Sequence, residues 1–110
     1  MEATSLSSEV NQMHAEICSG LADPNRILLL YALAEGPHNV SELAELVGIT
    51  QPTASRHLKL LRDRGMVHAS RQGAAIEYSL SDQRLIEALD LLRMVLRDRI
   101  TYRASLIETK

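Results

Sequence analysis

Apolar residues recur along this chain at helical spacing almost from end to end, with one short exception. Val10, Met13, Ile17 and Leu21 fall three to four apart, which predicts a first helix over about residues 8–20. Asp23-Pro24 marks a fresh start, with Asp as N-cap and Pro in the first turn. The helix that follows, "NRILLLYALAEG", is apolar nearly all round, as a central helix packed on several sides would be, and Gly36-Pro37 ends it. Asn39 and Glu42 have capping-box spacing for a short third helix, "VSELAELVG". Its apolar face is Leu43, Leu46 and Val47, and Gly48 is its stop. Thr50 can cap a fourth helix that tolerates Pro52 in its first turn, runs to about Arg64 and closes at Gly65. Over residues 66–80 the period changes to alternation around Gly73, which predicts a two-stranded hairpin. Ser81 can cap a long last helix, 82 to about 106, whose stripe Leu85, Leu89, Leu92 and Leu96 follows a 4-3-4 spacing.

The third and fourth helices are joined by "GIT" alone, the short Gly-containing connection of a helix-turn-helix, and a following hairpin makes it winged. The expected fold is therefore mainly α: one winged helix-turn-helix domain over residues 1–110, with about five helices and a two-stranded β-hairpin wing. Composition agrees, since the chain is 45% apolar yet holds no Trp or Phe, leaving Leu, Ile, Val, Ala and Met to fill the core. No apolar run reaches bilayer-spanning length and the N-terminus lacks a basic-then-apolar signal pattern, so the expectation is a cytoplasmic protein with no membrane partner. A single cysteine, Cys18, excludes an internal disulfide framework and a Cys-rich zinc finger.

Net charge, −2 overall, changes the picture once it is divided. Residues 1–49 hold one Arg against seven acids, and residues 73–110 are balanced. Residues 50–72 hold Arg56, Lys59, Arg62, Arg64 and Arg71 against Asp63 alone. Binding to phosphates needs local potential, not a high overall isoelectric point. At about 100° per residue, Ala54, Leu58 and Leu61 share one face of the fourth helix. Pro52, Ser55, Arg56, Lys59 and Asp63 then point outward, with Thr53 on the flank. Such a helix fits the major groove: Gln51 offers an amide to adenine and Arg56 a fork to guanine, while Thr53 and Ser55 reach base edges or phosphates. Lys59 and Arg62 lie further back for the backbone, His57 sits on the helix edge for packing or a phosphate, and Arg71 and Gln72 stand at the hairpin tip. With only Tyr31, Tyr78 and Tyr102 the chain lacks stacking platforms for single strands, so duplex is the expected partner. The leucine stripe of the last helix, joined by Met13 and Ile17 of the first, predicts a homodimer whose two recognition helices meet an imperfect palindrome one DNA turn apart.

Three segments, "GLADPNRILLLYALAEG", "VSELAELVGITQPTASRHLKLLRDRGMV" and "GAAIEYSL", together resemble the ArsR/SmtB family of bacterial winged-helix repressors. The resemblance covers about residues 18 to 82 and is most specific over "TQPTASRHLKLLRDRGMV". It implies a homodimeric repressor released from its operator by an effector. It also implies metal sites to test, and none survives. Where the arsenic and cadmium type carries Cys-Val-Cys, this chain has Asn39, Val40 and Ser41. Positions matching the zinc ligands on the last helix hold Asp82, Arg84, Val95 and Asp98, with no His beyond residue 68. Where a third type has two cysteines at the end of the recognition helix, Leu60 and Arg64 stand. Soft divalent metals need thiolate or imidazole clusters, so no metal or cofactor is expected. His14 and Cys18, at i and i+4, read as a surface His beside a half-buried thiol; Cys18 as a thiol sensor and the pair as metal ligands stay open as lesser readings. No constellation of an enzyme is present. A winged helix kept only for protein contacts, and a DNA-binding regulator without an effector, are the alternatives. The inducer stays unread.

Overall fold

The computed structural model describes residues 3–108; residues 1, 2, 109 and 110 of the expected single domain lie outside the described residues. Five α-helices and three short strands follow one another as α1 (Ala3–Met13), α2 (Pro24–Leu33), β1 (His38–Asn39), α3 (Val40–Val47), α4 (Gln51–Asp63), β2 (Val67–Gln72), β3 (Ala75–Leu80) and α5 (Arg84–Glu108). α1 runs on into one wide helical turn over His14–Cys18, where the Ser19 N–H donates to the His14 carbonyl five residues back at 3.0 Å.

The local signals act where the sequence places them. The Asp23 carboxylate accepts from the Asn25 N–H at 2.8 Å and Pro24 opens α2. At α3 the capping box closes in both directions, Asn39 Oδ1 accepting from the Glu42 N–H and Glu42 Oε1 from the Asn39 N–H, each at 2.9 Å. Gly48 takes φ 81°, a left-handed conformation costly for any residue with a Cβ, and turns the chain toward Thr50, whose hydroxyl caps α4. Leu29, Leu30 and Leu33 of α2, Leu43 of α3, Leu58 and Leu61 of α4, Met66, Val67, Tyr78 and Leu89 form one core. Gly20 packs closely against Met66: a Cβ there would stand 2.7 Å from the Met66 sulfur, so that side chain would have to shift.

Several expectations are corrected. The first helix begins at Ala3 rather than about residue 8, and the last spans Arg84–Glu108 rather than 82–106. The β2–β3 hairpin of the wing forms as expected, and its sheet gains a third strand in the order β1-β3-β2, because His38 and Asn39 pair antiparallel with Tyr78 and Glu77 before α3 starts. Ser81 does not cap α5: its hydroxyl donates to the Gly65 carbonyl at 2.8 Å, and Asp82 Oδ1 accepts from the Arg84 N–H instead. Leu46 is 62% exposed, so the inner face of α3 is Leu43 and Ala44 with Val47 half-buried. α2 is less enclosed than its composition implied, with Leu28 about half exposed.

Candidate nucleic-acid interface

α4 is held from beneath by Ala54, Leu58 and Leu61, all three fully buried, so the opposite side faces solvent. Pro52, Ser55, Arg56, Lys59, Arg62 and Asp63 are exposed and Thr53 is half-buried, as the helical wheel predicts. Hydrogen bonds organise the N-terminal part of this face. The Thr50 hydroxyl donates to Thr53 Oγ1 at 2.9 Å, and an Arg56 Nη donates to the same oxygen at 3.3 Å. Thr53 therefore orients the Arg56 fork. Gln51 Nε2 donates to Ser41 Oγ at 2.8 Å, which leaves its other N–H and its carbonyl for an outside partner. Ser41 is a positioning residue that sequence reasoning passed over; it sits two residues after the Asn39 cap, and only the helix-turn-helix crossing brings it to Gln51. On β2, Arg71 and Gln72 are exposed beside the Gly73 turn, Gln72 Nε2 donating to Ser70 Oγ at 3.2 Å.

Two residues of the basic segment point elsewhere. His57 is turned inward, its side chain 16% exposed, with Nδ1 3.3 Å from an Arg26 Nη and Nε2 4.0 Å from Asp23 Oδ1. It lies about 60° from Ala54 on the wheel, on the buried half of the helix, and packs α4 against the start of α2. A phosphate contact for His57 does not fit that placement. Arg64 leaves the outward face as well, donating to the Ala15 carbonyl at 2.8 Å and to Ser19 Oγ.

The model of the arsR family of bacterial regulatory proteins matches residues 23–69, from the α2 cap into the wing. The HTH-type transcriptional regulator NmtR of Mycobacterium tuberculosis is 38% identical over 85 residues, 77% of this chain and 71% of that protein. This chain belongs to the ArsR family. Among solved ArsR-like structures, the transcriptional repressor BigR of Xylella fastidiosa superposes with a TM-score of 0.74 at 30% identity, covering 86% of this chain and 96% of that one. A homodimeric winged helix-turn-helix DNA-binding domain from Mycobacterium bovis, described as a possible ArsR-family regulator, gives 0.75 at 25% identity, over 92% and 93%.

In this ArsR-family chain the residues expected at a dimer seam divide. Leu89 is 4% exposed and Leu85 half-buried, both packed into the protomer's own core, which removes Leu89 from the seam. Leu92 and Leu96 are 61% and 57% exposed, and Met13 and Ile17 are exposed on the first helix. The stripe passes from core to open surface as α5 leaves the domain. An open apolar groove of about 790 Å³ runs between the wide turn and α5, lined by Met13, Ile17, Leu85, Leu91 and Leu92, with Cys18 and Arg64 at its edge. Cys18 is exposed rather than half-buried. Among the described residues no three His, Cys, Asp or Glu side chains are placed to share an ion, and no helix is long and apolar enough to cross a membrane.

Proposed function

We propose that this ArsR-family chain is a homodimeric transcriptional repressor that binds double-stranded operator DNA and is released by an effector. It reads base edges with Gln51, Ser55 and Arg56, Thr53 holding the Arg56 fork, and it grips phosphates with Lys59 and Arg62 and, from the wing, Arg71 and Gln72. The observation that carries the reading is the division of α4: three fully buried residues fix one side, and the opposite side presents small polar groups first and cations further along. That order is what a major groove requires, close approach at the helix start and neutralisation of the backbone behind it. The seam of the proposed dimer is the exposed part of the leucine stripe, Leu92 and Leu96, with Met13 and Ile17 across the groove. Leu85 lies at the edge of that seam, and Leu89, held in the protomer's own core, is outside it. A two-fold pair of such domains faces an imperfect palindrome with half-sites about one helical turn apart. Binding to operator DNA places its work in the cytoplasm.

Salt dependence tests this. With duplex taken from the upstream region of the protein's own gene, the logarithm of the affinity should fall linearly with the logarithm of salt concentration. The slope should be close to −0.9 per phosphate contact, so roughly six contacts from a dimer predict a loss of about a thousandfold between 50 and 200 mM salt. Absence of binding to any duplex at low salt would leave the fold as a protein-contact module.

A further inference from the structure

Arg64 is counted among the cations of the basic segment, yet its guanidinium turns away from the outward face of α4. It reaches the Ala15 carbonyl at 2.8 Å and the Ser19 hydroxyl, both in or beside the wide turn His14–Cys18. In that turn the Ser19 N–H bonds the His14 carbonyl, five residues back, so the Ala15 carbonyl falls outside the ordinary helical ladder. It is taken up by two side chains, Arg64 and the Ser19 hydroxyl at 2.5 Å. A second arginine holds the same segment from the other side. Arg26 Nε donates to the Gly20 carbonyl at 2.8 Å and one Nη to the Ser19 carbonyl at 3.2 Å, while the other Nη meets His57 Nδ1 of α4 at 3.3 Å. Residues 15–20 are thus fastened to α4 at two points, mid-helix through Arg26 and His57, and at the C-terminal cap through Arg64 itself.

We propose that Arg64 is a positioning residue for DNA binding: it ties the wide turn of the first helix to the end of the recognition helix and makes residues 15–20 the coupling between the groove face and the DNA-reading face. The placement of the groove supports this. Ile17 and Cys18 of the same turn line it, with Arg64 and Met66 on the α4 side, so whatever occupies the groove presses on the segment that Arg64 holds. Both bonds leave one terminal nitrogen, Nη1, so a single donor group bridges the Ala15 carbonyl and the Ser19 hydroxyl and fixes where the end of α4 meets the turn. The proposal rests on the DNA-binding reading for its consequence but not for its geometry, and the two parts separate experimentally.

The test compares Arg64→Ala, Arg64→Lys and Ser19→Ala with the unaltered protein. Amide hydrogen exchange is measured on free protein, and affinity for the upstream duplex across a salt series. Arg64→Ala should speed exchange at the Ser19 amide and through the last turn of α4, and should weaken duplex binding about tenfold or more with the salt slope unchanged. Ser19→Ala, which alters no charge and lies away from the outward face, should weaken binding in the same direction with the same slope. Arg64→Lys, whose shorter ammonium keeps the charge and several donors but not the reach of Nη1, should fall between Arg64→Ala and the unaltered protein with the slope unchanged. A slope reduced by about 0.9 per lost contact, with exchange at Ser19 unchanged and Lys restoring full affinity, would make Arg64 a phosphate ligand and overturn the proposal. Unchanged exchange and unchanged affinity would overturn it equally. Should the unaltered protein bind no duplex, the repressor reading fails on its own, and faster exchange in both α4 and the wide turn would still report the tie.

Discussion

The Tyr31 hydroxyl donates to the Asp90 carboxylate at 2.6 Å, fastening α2 to α5 across 59 positions of sequence. Arg93 completes the cluster, lying over the Tyr31 ring at 5.2 Å and bonding Asp90 at 3.3 Å. Burial, and then the hydrogen bond to Asp90, push the Tyr31 hydroxyl above its usual titration range. A raised value in the folded state means that the contribution is present at neutral pH and is lost as pH climbs beyond about 10. Tyr31→Phe should cost about 0.5–1 kcal/mol at pH 7 by urea denaturation, and the gap from the unaltered protein should narrow at pH 11.

Leu89 and Leu92 lie on one stripe of α5 but answer to different partners. Leu89→Ala should destabilise the protomer by about 2–5 kcal/mol, as a cavity in a closed core does. Leu92→Glu should leave the fold intact by circular dichroism and halve the mass in solution, because a charge would enter the proposed dimer seam. An unchanged mass for Leu92→Glu would refute that seam.

Arg56→Ala should lose about 1–3 kcal/mol of binding on the operator and less on random duplex, measured by anisotropy at one salt concentration. Equal losses on both would move Arg56 from the bases to the backbone.

Asp82 accepts from the Arg84 guanidinium at 2.7 Å and from the Arg84 N–H at 2.9 Å, and these bonds hold its carboxyl down to about 2. A lowered folded value stabilises at and above ordinary carboxylate pH and is lost as acid approaches that lowered value. Asp82→Asn should therefore differ from the unaltered protein in thermal midpoint at pH 6, with the difference shrinking toward pH 2.

Cys18→Ser should leave operator binding and its release intact, the exposed thiol acting only as a small groove-lining group. Loss of release with binding retained, in a reporter assay, would instead make Cys18 the sensor.

Much of this architecture is legible in the residues themselves. Asp23-Pro24, the Asn39–Glu42 box and Thr50 dictate where helices start because each satisfies specific backbone groups within four residues. The inner face of α4 follows from period alone. What periodicity withholds is the identity of the partner: Leu89 and Leu92 share a stripe, and only the tertiary path shows that one meets its own core and the other open surface. β1 is two residues long, too short for any alternation to register. The wide turn is hidden because the spacing from Met13 to Ile17 is as helical as any other. For the same reason Arg64 and His57 read as members of a basic helix, although their partners lie at residues 15, 19 and 26.

α5 is one unbroken helix from a buried Leu89 to an exposed Ile107. Its near end is anchored in the domain by Leu89 and the Tyr31–Asp90 bond, while Leu96, Ile100 and Ile107 further along are exposed. It is therefore a lever with a fixed fulcrum. At about 1.5 Å per residue, the eighteen steps from Leu89 to Ile107 make an arm of roughly 27 Å. In the proposed dimer, a tilt of a few degrees where two such arms cross would shift each recognition helix relative to its partner. In the proposed dimer, control of DNA binding would need no unfolding and no rearranged core, only a change in the angle at which two rigid arms meet.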